Sequence, residues 1–442
     1  MKLRKVLQGV SPVKLTGNHE EEIKLVTYSS EKVGPGALFT ALKGTRTDGN
    51  LFINEAMEKG AVAVLSENSC PQGFPATWIE VEDCRRTLAL ASANFFDHPS
   101  RNLKVIGVTG TKGKTTISYL LEEILKKASF RPAVIGTISY RGPGLNNSAG
   151  RTTPEAPELQ QMMHFTLNQG ATHCIIEVSS HALVLKRVEA VDFDISVFTN
   201  LSGEHLDYHH TLENYFEAKK KLFNPGSKKK MAVINHDDPW GKKLLNELAI
   251  PAITFGMEAK ANIHPTGFSF SESGIEAEIK YPGGNLKFSS SLLGRPNLYN
   301  ILTAVSVALI MGINPPSIQE GLKFLEKVPG RLEKIENSFG LNIFIDYAHT
   351  DDALKKLLQT SRELCQKKII LVFGAGGDRD KSKRPRMGEA AGELADWTII
   401  TSDNPRSEDP MIIISDIEKG LKKTGSSSYE IEPDRRAAIR KA

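Results

Sequence analysis

The stretch GVTGTKGKTT, at positions 107–116, contains residue types that bind phosphate groups. Gly113, Lys114 and Thr115 match the end of the pattern G-x-x-x-x-G-K-[ST]. In that pattern backbone N–H groups surround the phosphates, the lysine neutralises them and the hydroxyl ligates Mg²⁺. Val108 stands where the pattern has its first glycine. The segment therefore predicts a nucleotide-binding loop of an uncommon type, with a tight turn that binds nothing as the alternative.

A carboxylate for the same site is expected at the end of a neighbouring strand, because Mg²⁺ prefers oxygen ligands. Glu177 lies at the end of the apolar run CIIEV and meets that description, although a lone glutamate could equally cap a turn. Three histidines occur within positions 199–223, but they lack the H-E-x-x-H spacing of a zinc protease. The spacing therefore argues against a zinc protease.

Lys219 falls on a mostly apolar helical stripe, whereas Lys220 and Lys221 point elsewhere. The other members of the stripe are Tyr215, Ala218, Leu222 and Phe223, and Phe216 falls outside it. A lysine on a buried face has a lowered pKa and can react as a neutral amine. The alternative is an aliphatic stem that carries its charged end to water. Periodicity alone leaves both open.

Strand-like and helical patterns alternate around these residues. In the middle of the chain, apolar runs predict strands at 104–108, 173–180, 195–202 and 231–239. The helix after the phosphate loop has an apolar stripe of Ile117, Leu120, Leu121, Ile124 and Leu125. Such alternation predicts an α/β fold with mostly parallel sheets, whose sites lie at the carboxyl ends of the strands.

The flanking regions have related patterns. Before the loop, strands are predicted at 37–42 and 61–65 with a helix around 51–59. After it, strand-like runs occupy 341–350, 367–377 and 396–406, again with helical patterns between them. A small antiparallel insertion is predicted at 262–293, and residues 301–313 predict a buried helix.

A chain of 442 residues predicts about three domains. The breaks at 97–102 and 328–333 divide it into 1–100, 101–330 and 331–442. The longest apolar stretch, 301–313, is shorter than the ~20 residues of a membrane span, so no membrane association is expected. A formal charge of +4 is too small and dispersed to predict nucleic-acid binding.

The four cysteines favour a reducing compartment, because Cys70, Cys84, Cys174 and Cys365 form no C-x-x-C pair. We therefore expect a cytoplasmic protein. The lysine run 228–230 is expected to be solvated loop.

Taken together, the motifs resemble those of the Mur ligase family. Their counterparts here are T-G-T-x-G-K-T at 109–115, T-T-P-E at 152–155, E-V-S-S-H at 177–181, T-N-L-S-x-x-H-L-D-Y-H at 199–209 and E-A-K ending at Lys219. Further along come N-x-x-N at 297–300, G-R at 330–331, D-Y-A-H-T at 346–350, G-G-D-R-D at 376–380 and D-N-P-R at 403–406. Their order and spacing across nearly the whole chain exclude chance similarity.

The resemblance implies a small N-terminal α/β domain for a UDP moiety, a central P-loop ATPase and a C-terminal Rossmann-like domain that binds an amino acid. It further implies that ATP phosphorylates the D-glutamate γ-carboxylate of UDP-MurNAc-L-Ala-D-Glu, a peptidoglycan precursor. The amine of meso-diaminopimelate would then attack the acyl phosphate. CO₂ would carbamylate Lys219, which would bind a second Mg²⁺ beside His205. We expect a monomer.

By the same resemblance, each ligand has its own set of residues. The catalytic set is Lys114, Glu177, His205 and Lys219. The metal ligands are Thr115, Glu177, His205 and carbamylated Lys219. ATP would contact Gly110, Thr111, Lys112, Gly113, Lys114, Thr115, Thr116, Asn300, Arg331, Asp346 and His349. The muramoyl peptide would contact Tyr28, Ser30, Thr45, Arg46, Thr47, Thr152, Thr153, Ser179 and Arg187. Diaminopimelate would contact Arg379, Asp403, Asn404, Pro405 and Arg406.

Some positions depart from the family pattern. Ser29 and Glu31 flank Ser30 where relatives often have D-S-R, Leu185 replaces a glutamine, and Asp351 replaces a proline. The family's G-x-x-x-E contact to diaminopimelate has no counterpart before Ala442, so we expect either a truncated C-terminal domain or an incomplete site.

Several alternatives stay open. Arg406, whose guanidinium suits the distal carboxylate of diaminopimelate, could instead form a surface ion pair. L-lysine could be the added residue, or the chain could be an inactive module that binds a nucleotide or UDP-sugar. Folylpolyglutamate synthetase shares the ATPase core, but T-T-P-E and D-N-P-R argue against it.

Overall fold

The computed structural model, which describes residues 1–44, 47–224, 230–365 and 367–442, is an α/β fold with mostly parallel sheets. The N-terminal sheet has the order β1-β5-β4-β3-β2 and is parallel except for β1. Its strands are β1 (Lys14–Thr16), β2 (Leu25–Thr27), β3 (Ala37–Thr40), β4 (Ala61–Ser66) and β5 (Thr77–Glu80). Its helices are α1 (Leu3–Val6), α2 (Ile53–Glu58) and α3 (Cys84–Phe95). The strands and the helix predicted between them are confirmed.

Both faces of this sheet are buried. Leu38 and Leu65 pack in one apolar cluster, whereas Phe39 and Val64 pack in another. Because successive side chains of a strand point to opposite faces, β3 and β4 each contribute to both clusters.

The central sheet has the order β13-β12-β11-β6-β10-β7-β8-β9. Its strands are β6 (Lys104–Thr109), β7 (Pro132–Ile135), β8 (Ser139–Gly142), β9 (Leu145–Ser148), β10 (His173–Glu177), β11 (Ile195–Phe198), β12 (Met231–Asn235) and β13 (Ala252–Phe255). Parallel pairing of β6 with β10 on one side and β11 on the other brings three carboxyl ends together. The strands predicted from the four apolar runs are confirmed.

Helices cover this sheet, and a small antiparallel sheet packs beside it. The helices are α4 (Lys114–Lys127), α5 (Ala156–Asn168), α6 (Ser180–Val184), α7 (Leu206–His209), α8 (Leu212–Lys220), α9 (Pro239–Glu247), α10 (Gly294–Ile310) and α11 (Pro315–Phe324). The small sheet consists of β14 (His264–Ser271), β15 (Gly274–Tyr281) and β16 (Gly284–Ser290). It confirms the predicted insertion, and α10 confirms the predicted buried helix.

The C-terminal region combines a parallel sheet with a separate hairpin. The hairpin pairs β17 (Glu333–Ile335) with β18 (Ile343–Ile345), and the sheet contains β19 (Ile370–Phe373), β20 (Trp397–Ile400) and β21 (Tyr429–Ile431). Its helices are α12 (Asp351–Leu364), α13 (Lys383–Leu394), α14 (Pro410–Lys423) and α15 (Arg435–Lys441). The run 341–350 was expected to continue the parallel pattern, but β18 is antiparallel to β17, because the short connection between them permits a hairpin and no crossover.

One helical pattern was incomplete, and one further expectation was wrong. Phe216 is fully buried although it falls outside the stripe, because its ring packs at 5.1 Å from that of Trp240, so α8 is covered on more than one side. Lys230 is buried rather than solvated, and its Nζ donates to Leu222 O (3.1 Å) and Asn224 O (2.9 Å). The rest of that lysine run lies outside the described residues.

Across the described ranges, no helix combines the length and the apolar composition needed to cross a membrane.

Candidate functional site

The loop between β6 and α4 has a conformation that requires glycine. Gly110 and Gly113 have φ angles of +147° and +93°. A Cβ on Gly110 would lie 1.9 Å from Thr199 Oγ1, and one on Gly113 would lie 2.5 Å from Asn300 Oδ1. Both glycines therefore admit no side chain, and the backbone can approach a bound anion closely.

The end of β11 holds this loop in place. Thr111 N donates to Asn200 O (2.9 Å), and Lys112 N donates to Asn200 Oδ1 (3.0 Å). In return, Thr199 Oγ1 donates to Lys112 O (2.6 Å). Thr115 and Thr116 then enter the first turn of α4, so the loop leads into a helix N-terminus, where an anion is favoured.

Lys114 bends back over the loop. Its Nζ donates to Gly110 O (2.7 Å) and to Thr111 O (3.1 Å). Burial lowers the pKa of Lys114, and the nearby carboxylates of Glu204 and Glu177 only partly oppose this. The ammonium group is thus poorly solvated and has carbonyl dipoles as its partners, so a phosphate would be a stronger one.

Glu177 ends β10 directly beside the loop and is 1% exposed. Its carboxylate accepts from Thr115 Oγ1 (2.9 Å), Thr137 Oγ1 (2.7 Å), Ser118 Oγ (3.3 Å) and Thr137 N (3.2 Å). A carboxylate and a threonine hydroxyl at this distance are hard oxygen donors of the kind that Mg²⁺ takes beside phosphates. Within the described residues, no group of three or more His, Cys, Asp or Glu side chains could hold a metal by itself.

Lys219 reaches the same loop from α8. It is 1% exposed, its Nζ donates to Gly110 O (2.9 Å), and this Nζ lies 4.4 Å from the centre of the Tyr215 ring. Burial, with a smaller contribution from the charge of Lys114, lowers the pKa of Lys219 well below its ordinary value. Of the two alternatives that the sequence left open for Lys219, the buried one is observed and the solvated one is not.

His205 precedes α7 in a left-handed conformation, with φ +60°. Its ring centre lies 5.0 Å from that of His181 and 6.2 Å from that of Tyr215. The His205 side chain is exposed at the surface, and desolvation by the groups around it lowers its pKa from the ordinary value. A lowered pKa favours the neutral imidazole, the form that ligates metals.

Glu204 is a residue that the sequence prediction missed. Its carboxylate lies 3.4 Å from Lys112 Nζ and 3.3 Å from His349 Nε2. Burial raises the pKa of Glu204, but His349, Lys112 and Lys114 outweigh burial and hold this pKa well below its ordinary value. Glu204 thus joins the phosphate loop to the C-terminal region. Its place directly before His205, inside a recognised motif, was the available signal.

The residues expected to contact the nucleotide approach the loop from two directions. Asn300 lies against Gly113 from α10, and its Nδ2 donates to Asn297 Oδ1 (3.0 Å). From the C-terminal region, the Asp346 carboxylate accepts from Leu332 N (2.8 Å) and so holds the turn that carries Arg331. The charge of Arg331 contributes to the lowered pKa of Lys114.

Four residues expected to contact the muramoyl peptide lie together beside Glu177. Thr153 Oγ1 donates to Glu177 O (2.7 Å) and accepts from Ser179 N (3.1 Å). Arg187 Nη1 donates to Thr153 O (3.0 Å), and Thr152 Oγ1 lies 3.1 Å from Thr137 Oγ1. These side chains surround the end of β10.

The residues expected to contact UDP are more scattered. Tyr28 OH donates to Glu158 Oε1 (3.4 Å) on α5, and burial followed by the nearby Glu158 raises the pKa of Tyr28 to about 12. Ser30 starts a short 3-10 helix, and Thr47 is exposed. Thr45 and Arg46 lie outside the described residues.

The residues expected to contact an amino acid lie on two loops, 374–381 after β19 and 401–409 after β20. Gly377 N donates to Asn404 O (2.8 Å), and Arg406 Nη1 donates to Gly377 O. Glu408 N donates to Pro405 O (3.0 Å), and Asp403 Oδ1 lies 3.8 Å from Arg435 Nη1.

Arg379 and Arg406 are exposed on these loops. Among the residues that the structure describes, Arg406 forms no ion pair within 4.0 Å, so the surface-pair alternative is not observed there.

Comparison with family models adds independent information. The model described as "Mur ligase family, catalytic domain" matches residues 22–96, "Mur ligase middle domain" matches 108–308, and "Mur ligase, glutamate ligase domain" matches 330–442.

Individual relatives match along nearly their full length. The "UDP-N-acetylmuramoyl-L-alanyl-D-glutamate--2,6-diaminopimelate ligase" of Syntrophomonas wolfei subsp. wolfei is 41% identical over 444 residues, covering 100% of this chain and 91% of the relative. The ligase of the same name from Geobacter metallireducens is 41% identical over 440 residues, covering 98% of this chain and 86% of that one. A solved structure of a ligase with this name is similar with a TM-score of 0.74 and 32% identity, covering 100% of this chain and 90% of that chain.

Proposed function

Because the chain belongs to the Mur ligase family, we propose that it uses ATP to join meso-diaminopimelate to the D-glutamate of UDP-MurNAc-L-Ala-D-Glu, in peptidoglycan precursor synthesis. The observation that carries this proposal is the convergence of Lys114, Glu177 and Lys219 on one phosphate loop. The names of full-length relatives support the choice of substrates.

In this proposal each region binds one reactant. Residues 1–100 would bind the UDP moiety, 101–330 would bind ATP, and 331–442 would bind the amino acid. No sheet is shared between the three regions, as far as the described residues show, which supports this division. The contact between Glu204 and His349 supports it too, because it brings the third region to the phosphate loop.

The phosphate loop would bind ATP through its backbone and Lys114. Replacement of the two carbonyl partners of Lys114 Nζ by β- and γ-phosphate oxygens would give this buried ammonium group a charged partner. Asn300, Arg331, Asp346 and His349 would contact the remainder of the nucleotide, and Lys112 would exchange Glu204 for phosphate.

The oxygen donors beside the loop suit Mg²⁺, since Thr115 Oγ1 and a Glu177 oxygen are 2.9 Å apart. Thr115 and Glu177 would hold one ion, and His205 and carbamylated Lys219 would hold a second. When bound, these ions would reduce the repulsion between the γ-phosphoryl group and the attacking carboxylate.

Carbamylation of Lys219 is supported by the surroundings of its amine. CO₂ adds only to an uncharged amine, and burial lowers the pKa of Lys219 in the required direction. The amine is buried beside the aromatic ring of Tyr215, with the carbonyl oxygen of Gly110 as its hydrogen-bond acceptor. A carbamate there would convert an amine into an oxygen ligand.

The proposed reaction depends on where the γ-carboxylate of the muramoyl peptide and the incoming amine are held. Thr152, Thr153, Ser179 and Arg187 would hold the muramoyl peptide so that its γ-carboxylate meets the terminal phosphorus of ATP. Transfer gives ADP and an acyl phosphate. The amine, held by Arg379, Asp403, Asn404, Pro405 and Arg406, forms the C–N bond as phosphate leaves and one proton is lost. Exclusion of water by the C-terminal region would protect the acyl phosphate from hydrolysis.

Phosphate release by the purified chain tests this function. We expect release only when ATP, Mg²⁺, UDP-MurNAc-L-Ala-D-Glu and meso-diaminopimelate are all present, with the tripeptide product identified by mass. L-lysine in place of diaminopimelate tests the alternative amino acid. Nucleotide binding without any turnover would instead support the inactive module.

The carbamate has its own test. Lys219→Ala should lose turnover, and short carboxylates added to the buffer should restore part of it by supplying the missing oxygen ligand. Failure of acetate, formate and propionate to restore any activity would contradict the carbamate. The expectations of a monomer and of a cytoplasmic location stay predictions, and sedimentation equilibrium would test the first.

A further inference from the structure

Arg384 is a buried charged side chain outside every motif described above. It is the second residue of α13, and its side chain is 0% exposed. Nη2 donates to Glu408 Oε1 (2.8 Å) and Nη1 to Glu408 Oε2 (3.0 Å), with Asp416 Oδ2 at 3.3 Å from Nη1. Two parallel hydrogen bonds of this kind fix both orientation and distance.

Close packing of α13 against α14 holds Arg384 where it is. A Cβ on Gly388 would lie 2.0 Å from Ile417 O, and one on Gly420 would lie 1.8 Å from Pro385 O. The helices therefore touch through their backbones, and the guanidinium group between them has no route to solvent. Its charge must be balanced by the two carboxylates.

Glu408 connects Arg384 with the two loops that carry the proposed amino-acid site. Its Oε1 accepts from Asp378 N (2.6 Å), and Lys381 Nζ lies 3.2 Å from Oε2. Arg384 is the first cause of the lowering of the pKa of Glu408 to about 2, so the carboxylate is charged at every physiological pH.

A second connection lies next to the first. The Asp378 carboxylate accepts from Ser407 Oγ (2.7 Å) and from Ser407 N (3.2 Å). Glu408 and Asp378 thus link loop 374–381 with loop 401–409 directly after Arg406, and the hydrogen bond from Gly377 N to Asn404 O links the loops before it. Arg406 itself has φ +51°, a conformation that a non-glycine residue keeps only when its surroundings impose it.

We propose that Arg384, acting through Glu408, is a positioning residue that orients Arg406 and so sets the preference for an amino acid with a second carboxylate. This inference rests on the proposed function, because it assumes that Arg406 binds that carboxylate. A planar guanidinium pairs with a carboxylate only when both are correctly oriented. If the loops move relative to each other, Arg406 keeps its charge and loses that orientation.

Glu408→Gln tests the proposal with little change in volume. We expect the KM for diaminopimelate to rise on the order of tenfold, the ratio of diaminopimelate to L-lysine turnover to fall, and the KM for ATP to change less than about twofold. Arg384→Lys keeps the charge and removes the paired hydrogen bonds, so it should have the same effect. Glu389→Gln is the matched control, since Glu389 makes an exposed ion pair with Lys423 across the same two helices.

Hydrogen exchange provides a readout that does not depend on turnover. Amides of residues 401–409 should exchange faster in Glu408→Gln than in the unaltered chain or in Glu389→Gln. Equal increases in the KM for ATP and for diaminopimelate, or unchanged exchange, would overturn the positioning role. If the unaltered chain forms no amide with diaminopimelate, the proposed function fails, and the exchange measurement still decides whether Arg384 and Glu408 hold the loops.

Discussion

The phosphate loop and the two proposed amino-acid loops occupy equivalent places, at the carboxyl ends of parallel strands, and are held in different ways. The phosphate loop is fixed by backbone hydrogen bonds to Asn200 and by glycines that admit no side chain. Besides one backbone hydrogen bond, from Gly377 N to Asn404 O, the amino-acid loops are connected by the charged side chains of Asp378 and Glu408, and each loop carries an exposed arginine. A site built from backbone serves any molecule with phosphates, whereas one built from side chains distinguishes one amino acid from another.

The two sites should therefore respond differently to substitution. A change in the phosphate loop should reduce every ATP-dependent step. A change in the amino-acid loops should act on one substrate and leave nucleotide binding intact.

The largest effect is expected for Lys114→Met. It removes the cation that would neutralise the phosphates, so kcat should fall about 10²- to 10³-fold. ADP formation by a coupled assay measures this. Lys126→Met, an exposed position on the same helix, should behave like the unaltered chain. A fall in kcat of less than about tenfold would mean that another cation neutralises the phosphates.

The second-largest effect is expected for Gly110→Ala. Its Cβ would lie 1.9 Å from Thr199 Oγ1, and its φ of +147° is unfavourable for alanine. Strain of roughly 1–3 kcal/mol should weaken ATP binding up to about a hundredfold. Calorimetric titration with a non-hydrolysable ATP analogue gives the affinity. Gly267→Ala is the control, since nothing lies within 4 Å of its Cβ position. Unchanged affinity would show that the loop relaxes freely.

Arg406→Ala should act on one substrate only. Loss of its hydrogen bonds to a carboxylate should cost roughly 1.5–3 kcal/mol, which is a ten- to hundredfold rise in the KM for diaminopimelate. The KM for ATP should stay constant in steady-state assays. Arg362→Ala, which breaks an exposed pair with Asp396, should change neither. Equal effects on both substrates would count against the assignment of Arg406.

Gly376→Ala should have the smallest effect. Its Cβ would lie 3.0 Å from Arg406 Nη1, so the guanidinium group would need to shift by only a few tenths of an ångström and would keep its orientation. The KM for diaminopimelate should change by about twofold at most. Steady-state assays beside Gly110→Ala compare the same substitution in the two loops. A larger loss of substrate binding in Gly376→Ala than in Gly110→Ala would contradict the expected difference between the amino-acid loops and the phosphate loop.

Sequence patterns predicted the features that depend on local periodicity. The strands that end at the site, the buried face of α4 and the position of Lys219 on the apolar stripe of its helix follow from spacing within a single element. The phosphate loop was identifiable because its glycines and lysine are neighbours in the chain. Such features need no knowledge of which elements pack together.

Features that depend on partners far apart in the chain were missed. Glu204 contacts His349, which is 145 positions away in the chain. Arg384 contacts Glu408 and Asp416, which belong to other elements. The burial of Phe216 was missed because an apolar stripe on one helix does not reveal a second element that packs against another side of that helix. The antiparallel pairing of β18 likewise depends on β17 as partner.

The small sheet β14 to β16 has a consequence for how this chain can be shortened. Ile275, Ile279, Leu286 and Phe288 belong to the same apolar cluster as α4 and α10. Excision of these three strands would leave the outer side of the nucleotide-binding half uncovered, with aliphatic surface in water. Any attempt to engineer a minimal ATP-binding fragment must therefore retain this segment, even though none of the proposed site residues lies in it.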